Sequence, residues 1–381
     1  MEITGIICEY NPLHLGHQKQ LSHLKQENTA IVCLMSGNFV QRGHPAIFDK
    51  MTRAEAAVKC GADLVLELPI TAALSSAEGF AAKGVSILSP FCSRLSFGAE
   101  NADAHQLMGV AKALLSDDFR AALRLELDKG VSFPVARQEA LAILGIDSSL
   151  LEKPNNILAV EYCKAIVSQD SSMIPSPIAR RGDYHDLQAD GREPSATAVR
   201  NLICNGKNWM DYIPKSAHGC FESAAIHGIP YGEGAILARL RTMTDEDFEA
   251  LPYGSEGLWR KLMHAARTES TLEEVICATK SKRYTRTRLD RMVMCAFLGI
   301  SQDLLDSPVP YTRVLAFNDT GREILKTARK TGSFVNAGEN REHPYQKLEN
   351  LCGDLYGLFA ATPEAPGRAQ AERVFYHQTS I

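Results

Sequence analysis

Thr4-Gly5-Ile6-Ile7-Cys8-Glu9-Tyr10-Asn11-Pro12-Leu13-His14-Leu15-Gly16-His17 is the stretch on which the fold turns. Residues 4–8 are a short apolar run of the kind that fills a parallel strand buried on both faces. Asn11-Pro12 breaks it, since proline fixes φ and has no amide hydrogen for a ladder. A helical pattern carrying Leu21 and Leu24 follows. The same alternation continues outward. Residues 30–35 read as a second strand ending at Ser36-Gly37-Asn38, 52–60 as a helix stopped by Gly61, and 63–66 as a third strand. Residues 75–88 are again helical, and 94–97 form a fourth strand that ends at Gly98. This spacing predicts an α/β, doubly wound, Rossmann-like parallel sheet with right-handed crossovers. Ligands of such sheets lie beyond the carboxyl ends of the strands.

Residues 103–144 read as helical with pauses at Ser116-Asp117 and Gly130, and 155–167 as a further helix. Residues 172–174 are a last strand before Pro175 and Pro177, and 195–205 a helix capped by Ser195 or Thr197 and stopped by Gly206. Beyond about Asp211 the strand signals fade, and 232–241, 244–250, 258–266, 272–279, 287–298 and 321–331 are mainly helical. With 213–234 as linker, the expected organisation is a catalytic α/β domain over 1–212 and a mainly α-helical C-terminal region over 213–381.

The 381 residues are 45% apolar and 23% charged, ordinary for a globular protein, and the net charge of -4 gives no overall basic field. Any nucleic-acid contact must therefore come from a local patch. None of the ten cysteines has the C-x-x-C spacing of a zinc or redox site, so they read as reduced structural thiols. The N-terminus lacks a basic n-region, and no apolar stretch approaches the ~20 residues of a membrane span. The expectation is a cytoplasmic protein without a membrane or protein partner.

His14-Leu15-Gly16-His17 carries the strongest chemical signal. Two histidines three residues apart at a helix entry can both address an anion held by the free amides and dipole of that helix. Gly16 would let a phosphate approach the backbone, and the imidazoles can donate to oxygens that gain charge as phosphorus is attacked. Elsewhere in a chain such a motif is more simply two surface histidines; placement after the first strand reverses that preference. Ser195-Ala196-Thr197-Ala198-Val199-Arg200 combines an N-cap with an arginine, an anion site or an ordinary capped helix.

The His-x-Gly-His after the first strand is similar to the signature of the HIGH-type nucleotidyltransferase superfamily, and 195–200 looks like its second, phosphate-holding signature. A closer resemblance is to the bacterial tRNA(Met) cytidine acetate ligase family. It is carried by residues 5–17, Ser36-Gly37-Asn38-Phe39-Val40-Gln41-Arg42-Gly43, Arg53, Gly61-Ala62-Asp63-Leu64-Val65 and Glu67-Leu68-Pro69. Phe97-Gly98-Ala99-Glu100, Pro154-Asn155-Asn156-Ile157-Leu158, Tyr184-His185-Asp186, Lys282-Arg283-Tyr284-Thr285 and 288–291 extend it over most of the chain. The family usually has Phe and Asn where this chain has Leu13 and Leu15.

The resemblance implies a two-step reaction. Acetate attacks the α-phosphate of ATP, giving acetyl-adenylate and pyrophosphate, and N4 of the wobble cytidine of elongator tRNA(Met) then takes the acetyl group. It implies His14 and His17 as catalytic. The nucleotide cradle would comprise Ile7, Cys8, Glu9, Tyr10, Asn11, Pro12, Gly16, Gln20 and Gly98, with Asn155 or Asn156 and Arg180 or Arg181. Ser195, Thr197 and Arg200 would hold the β- and γ-phosphates. ATP is the expected co-substrate; Mg2+ commonly accompanies it, but the sequence offers no dedicated carboxylate cage. The residues themselves add a basic run, Lys280, Lys282, Arg283, Arg286, Arg288 and Arg291 with Tyr284 interleaved, which reads either as an RNA-contacting surface or as a solvated face. A small-molecule adenylyltransferase acting without RNA is the alternative activity, and a non-catalytic RNA-binding protein a third reading.

Overall fold

The computed structural model describes residues 2–26, 29–179 and 195–378. The four expected strands form: β1 (Ile3–Cys8), β2 (Ala30–Ser36), β5 (Leu64–Leu68) and β6 (Arg94–Ala99). A small hairpin, β3 (Phe39–Val40) and β4 (His44–Pro45), intervenes after β2. β2 is buried along its whole length, as a central strand covered on both faces must be. β1 lies between β2 and β6, and β2 between β1 and β5, all four parallel in one sheet.

Alternate residues of the strands feed two cores. On one face Ile7, Val32, Leu34, Leu66 and Leu95 pack with α4 (Ala77–Leu88), α5 (Ala104–Leu115) and α8 (Pro154–Ser168). On the other, Ile6, Ile31, Cys33 and Val65 pack with α1 (Leu15–Gln26) and α2 (Lys50–Lys59). Leu21 and Leu24 of α1 are fully buried there. A short α3 (Ile70–Ala73) precedes α4, and α6 (Asp117–Asp128) and α7 (Phe133–Ile143) break where Ser116 and Gly130 predicted.

Two features depart from the sequence-based expectation. The strand beside Pro175 and Pro177 does not stop before them: β7 (Ile174–Ala179) contains both. Among the described residues it pairs only with β6, and an edge strand tolerates the missing amide donors. The second concerns the C-terminal region. Following α9 (Ala196–Cys204) and α10 (His218–Phe221), it begins as expected with α11 (Ile229–Thr242), α12 (Asp245–Glu249), α13 (Leu258–Thr268), α14 (Leu272–Thr279), α15 (Arg286–Leu298) and α16 (Gln302–Asp306) around their own core. The chain then returns to the sheet. β8 (Thr312–Asn318) pairs antiparallel with β5, while β9 (Phe334–Asn336) and β10 (Phe375–His377) share its other edge. α17 (Asp319–Ala328), α18 (Pro344–Tyr356) and α19 (Arg368–Ala371) link these strands. One sheet thus takes strands from both sides of the 212/213 division.

Candidate active site

The segment between β1 and α1 is bent by local backbone chemistry. Tyr10 has φ 45°, in the left-handed region, and the Asn11–Pro12 peptide is cis. A non-glycine residue there costs about 1–3 kcal/mol and persists only where its surroundings impose it. The Tyr10 ring is buried, its hydroxyl 3.4 Å from the Cys33 sulfur. Asn11 accepts the Ile47 amide on its side chain (2.8 Å) and an Arg200 donor on its carbonyl (2.6 Å). Both bonds fix the chain just before the histidines.

His14 stands immediately before α1, and its ring lies 3.9 Å from that of His17 with 32° between the planes. The Gly16 amide donates to Nδ1 of His14 (3.0 Å), and the His14 amide donates to Nδ1 of His17 (3.3 Å). A nitrogen that accepts an amide hydrogen carries none of its own. In the neutral rings the proton is therefore on Nε2 of both histidines, a donor tautomer set by the backbone. Two such donors at a helix N-terminus can address an oxyanion.

The neighbouring groups are tied in turn. Gln20 donates to the Ser96 hydroxyl (3.1 Å), joining α1 to β6. Gly98 is in β6, one strand from β1. Glu100 receives the Asn155 side chain (2.6 Å) and the Asn156 amide (2.8 Å), so the carboxylate holds the first turn of α8. The side-chain oxygen of Asn156 accepts the Asn101 amide (2.9 Å), which makes Asn156 a connector. Ser195 caps α9 by accepting the Ala198 amide (3.1 Å), and Arg200 also donates to Thr197 (3.0 Å). Arg180, Arg181 and Tyr184-His185-Asp186 lie outside the described residues.

Not every nominated side chain faces a ligand space. Ile7 packs in the core against Gly84, and Leu13 is fully buried, so leucine at 13 serves packing. Burial pushes the Cys8 thiol well above its ordinary range, which leaves it neutral. Glu9 accepts the Gln41 amide (2.8 Å) and anchors the β3–β4 hairpin. Among the described residues there is no cluster of three metal-ligating side chains, and no helix is long and apolar enough to cross a membrane.

Sequence reasoning gave Arg53 no physical role. It is fully buried and donates to the carbonyls of Phe48 (2.9 Å), Glu9 (2.6 Å), Ser36 (3.1 Å) and Gly37. One guanidinium thereby clamps the ends of β1 and β2. Its signal was a cation sharing a helix face with Ala56, Ala57 and Cys60 at i, i+3, i+4 and i+7. Beside it Lys50 pairs with Glu67 (2.9 Å) and Glu372 (3.3 Å), and Arg313 pairs with Glu349 (3.2 Å). This network joins α2 and β5 to β8 and α18. Gly37 is the one residue that fits there, since a Cβ would meet a Glu67 oxygen at 2.3 Å.

The basic run divides. Arg286 is held by both oxygens of Glu273 (2.7 Å each) and by Asp290 (2.9 Å). Arg288 caps the Tyr253 carbonyl (2.8 and 3.0 Å), and the largely buried Arg291 lies over the Tyr253 ring (5.0 Å). These three guanidiniums are committed inside the protein. Lys280 and Lys282 are exposed, and Arg283 and Tyr284 both contact Glu256.

A sheet of this topology with paired histidines entering the first helix defines the class of HIGH-type nucleotidyl transferases, and the family model described as HIGH Nucleotidyl Transferase matches residues 1–369. The tRNA(Met) cytidine acetate ligase of Clostridium novyi is 39% identical over 94% of this chain and 93% of its own length. That of Clostridium acetobutylicum is 37% identical, covering 88% of this chain and 89% of its own. Crystal structures of Thermotoga maritima TmcAL, 28% identical, superimpose over the full length of both chains, with TM-scores of 0.92 without ligand and 0.89 with alpha-thio ATP bound. The chain belongs to the tRNA(Met) cytidine acetate ligase family.

Proposed function

We infer that this protein activates acetate with ATP and transfers the acetyl group to a cytidine of elongator tRNA(Met), acting in the cytoplasm where that RNA is found. The observation that carries the chemistry is the histidine pair, whose Nε2 hydrogens are both set as donors by backbone amides at the entrance of α1. An acetate oxygen attacks the α-phosphorus of ATP, and the bond to the bridging oxygen of the β-phosphate breaks. His14 and His17 stabilise the charge gathering on the phosphate oxygens. Pyrophosphate leaves, and acetyl-adenylate remains. The cytidine N4 then attacks the acetyl carbon, loses a proton, and AMP departs with the electron pair of the broken C–O bond. ATP binding is further supported by the alpha-thio ATP held by the Thermotoga maritima relative. The exposure of Lys280 and Lys282, with Arg283 and Tyr284 beside them, supports contact with RNA by this part of the basic run. The bonds from Arg200 to Thr197 and to the Asn11 carbonyl support a phosphate-holding role for this pair.

The test is mass spectrometry of nucleosides from unmodified elongator tRNA(Met) incubated with protein, ATP and acetate. N4-acetylcytidine is expected, and it should vanish when acetate is omitted or when His14→Ala and His17→Ala are combined. Its absence with folded, ATP-binding wild-type protein would defeat the reading in favour of a small-molecule acceptor.

A further inference from the structure

A cleft of about 650 Å³ lies between the start of α7 and the loop that joins α14 to α15. None of the residues assigned to ATP lines it. One wall is Ser132 and Pro134; the other is residues 280–285. Its charged lining is wholly cationic, Lys280, Lys282 and Arg283, with the Tyr284 ring among them. Glu256, which holds Arg283 and the Tyr284 hydroxyl, is outside the lining. Among the described residues Lys280 and Lys282 have no carboxylate within ion-pair distance.

Both walls are anchored at the strands that flank the histidines. α15, which begins where the cationic wall ends, carries the β3–β4 hairpin directly on its backbone: a Cβ at Gly43 would lie 2.6 Å from the Arg291 amide. That hairpin is bound to Glu9 at the end of β1 through the Gln41 amide. The opposite wall, α7, is joined to α8 by Arg137 and Glu161 (3.2 Å), and α8 is held at its first turn by Glu100 at the end of β6. The two walls are thus tied, through these contacts, to the ends of β1 and β6.

We propose that this cleft receives unpaired nucleotides of the RNA substrate's loop, with phosphates on Lys280 and Lys282 and a base against Pro134 and Tyr284. Its volume is within the range of about 300–1,000 Å³ typical of small-ligand sites, which suits one or two splayed nucleotides rather than a duplex. Unstacked bases are read on aromatic planes, which the Tyr284 ring supplies among the lining residues. The proposal deepens the RNA-acetylating reading and rests on it. Its new element is that the N-terminal part of the chain, through Ser132 and Pro134, forms half of the RNA site.

Ser132→Glu tests that half. The Ser132 side chain makes no capping bond, and a carboxylate at a helix N-terminus is favourable, so the fold should keep its thermal midpoint. Binding of a fluorescent anticodon stem-loop should weaken about tenfold, because a like charge now faces the phosphates. Combining Lys280→Glu with Lys282→Glu should flatten the log–log salt dependence by about 1.4, at ~0.7 for each single-stranded phosphate contact. Wild-type affinity in Ser132→Glu, whether or not the lysine variant is weakened, would overturn the cleft. Acetate-dependent ATP–pyrophosphate exchange by the wild type is measured in parallel. Its absence would count against the ligase reading, separately from RNA affinity.

Discussion

Replacing Gly16 by alanine should separate the histidine geometry from the stability of the helix that carries it. A Cβ at Gly16 would lie 2.9 Å from Cε1 and 3.1 Å from Nδ1 of His14. The first distance is shorter than real Cβ contacts, so the imidazole must move by a few tenths of an ångström to reach ordinary contact at 3.4 Å or more. It has little room to do so, being 2% exposed and 3.9 Å from the His17 ring. Movement also disturbs the Gly16 amide bond that keeps the proton on Nε2. The helix itself gains up to about 1 kcal/mol from exchanging glycine for alanine. Stability should thus be equal or higher while catalysis falls. Loss of one oxyanion donor costs about 10²–10³ in kcat, and a misplacement near 1 Å about 10². A smaller displacement should cost about 10- to 100-fold. The assay is kcat for acetate-dependent ATP–pyrophosphate exchange beside urea unfolding of both proteins. Gly16→Ala with wild-type kcat would refute the argument that the His14 ring position matters.

Two further outcomes follow from the buried charges. Arg53→Met should lower stability by more than about 4 kcal/mol, since each of four carbonyls left without its donor costs about 1–3 kcal/mol; a urea midpoint within error of wild type would contradict this. Burial, opposed by Arg313 and aided by Glu67, pushes the Glu349 carboxyl from its ordinary 4.5 up to about 7. The native state therefore holds a proton that the unfolded state has released between those values, and stability falls as pH rises through that window. At 1.36 kcal/mol per pH unit the loss is about 3 kcal/mol. Glu349→Gln, relative to wild type, should gain about that much on going from pH 4 to pH 8 in urea unfolding, and a pH-independent difference would sink the assignment.

The parts of this fold that could be read from sequence are those decided locally. β1, β2, β5 and β6 each have an apolar run that a polar or glycine-rich segment ends, and α5, α6 and α7 break at the serine and glycine that predicted it. What the sequence hid depends on partners far along the chain. β8 is a seven-residue run in a helix-rich region, and nothing near it signals that β5, some 250 residues earlier, offers an unpaired edge. β7 was cut short because two prolines argue against a strand, a rule that fails at an edge with a single neighbour.

The candidate site divides along the same line. The His-x-Gly-His motif is contiguous, so the histidines, Gly16 and the start of α1 can be read together. Their orientation is not contiguous: Arg53 draws the ends of β1 and β2 together, and Arg200 reaches back across the fold to the Asn11 carbonyl. The basic run makes the point in reverse. Six cations within twelve residues look alike in sequence, yet Glu273, Asp290 and the Tyr253 carbonyl claim two of them and a third, Arg291, lies over the Tyr253 ring. Charge that already has a partner gains little from a phosphate, because the new contact must first replace an existing one. Which cations remain open to a phosphate is therefore set by acids and carbonyls elsewhere in the fold, and the distinction between Arg286 and Lys282 arises only when the chain folds.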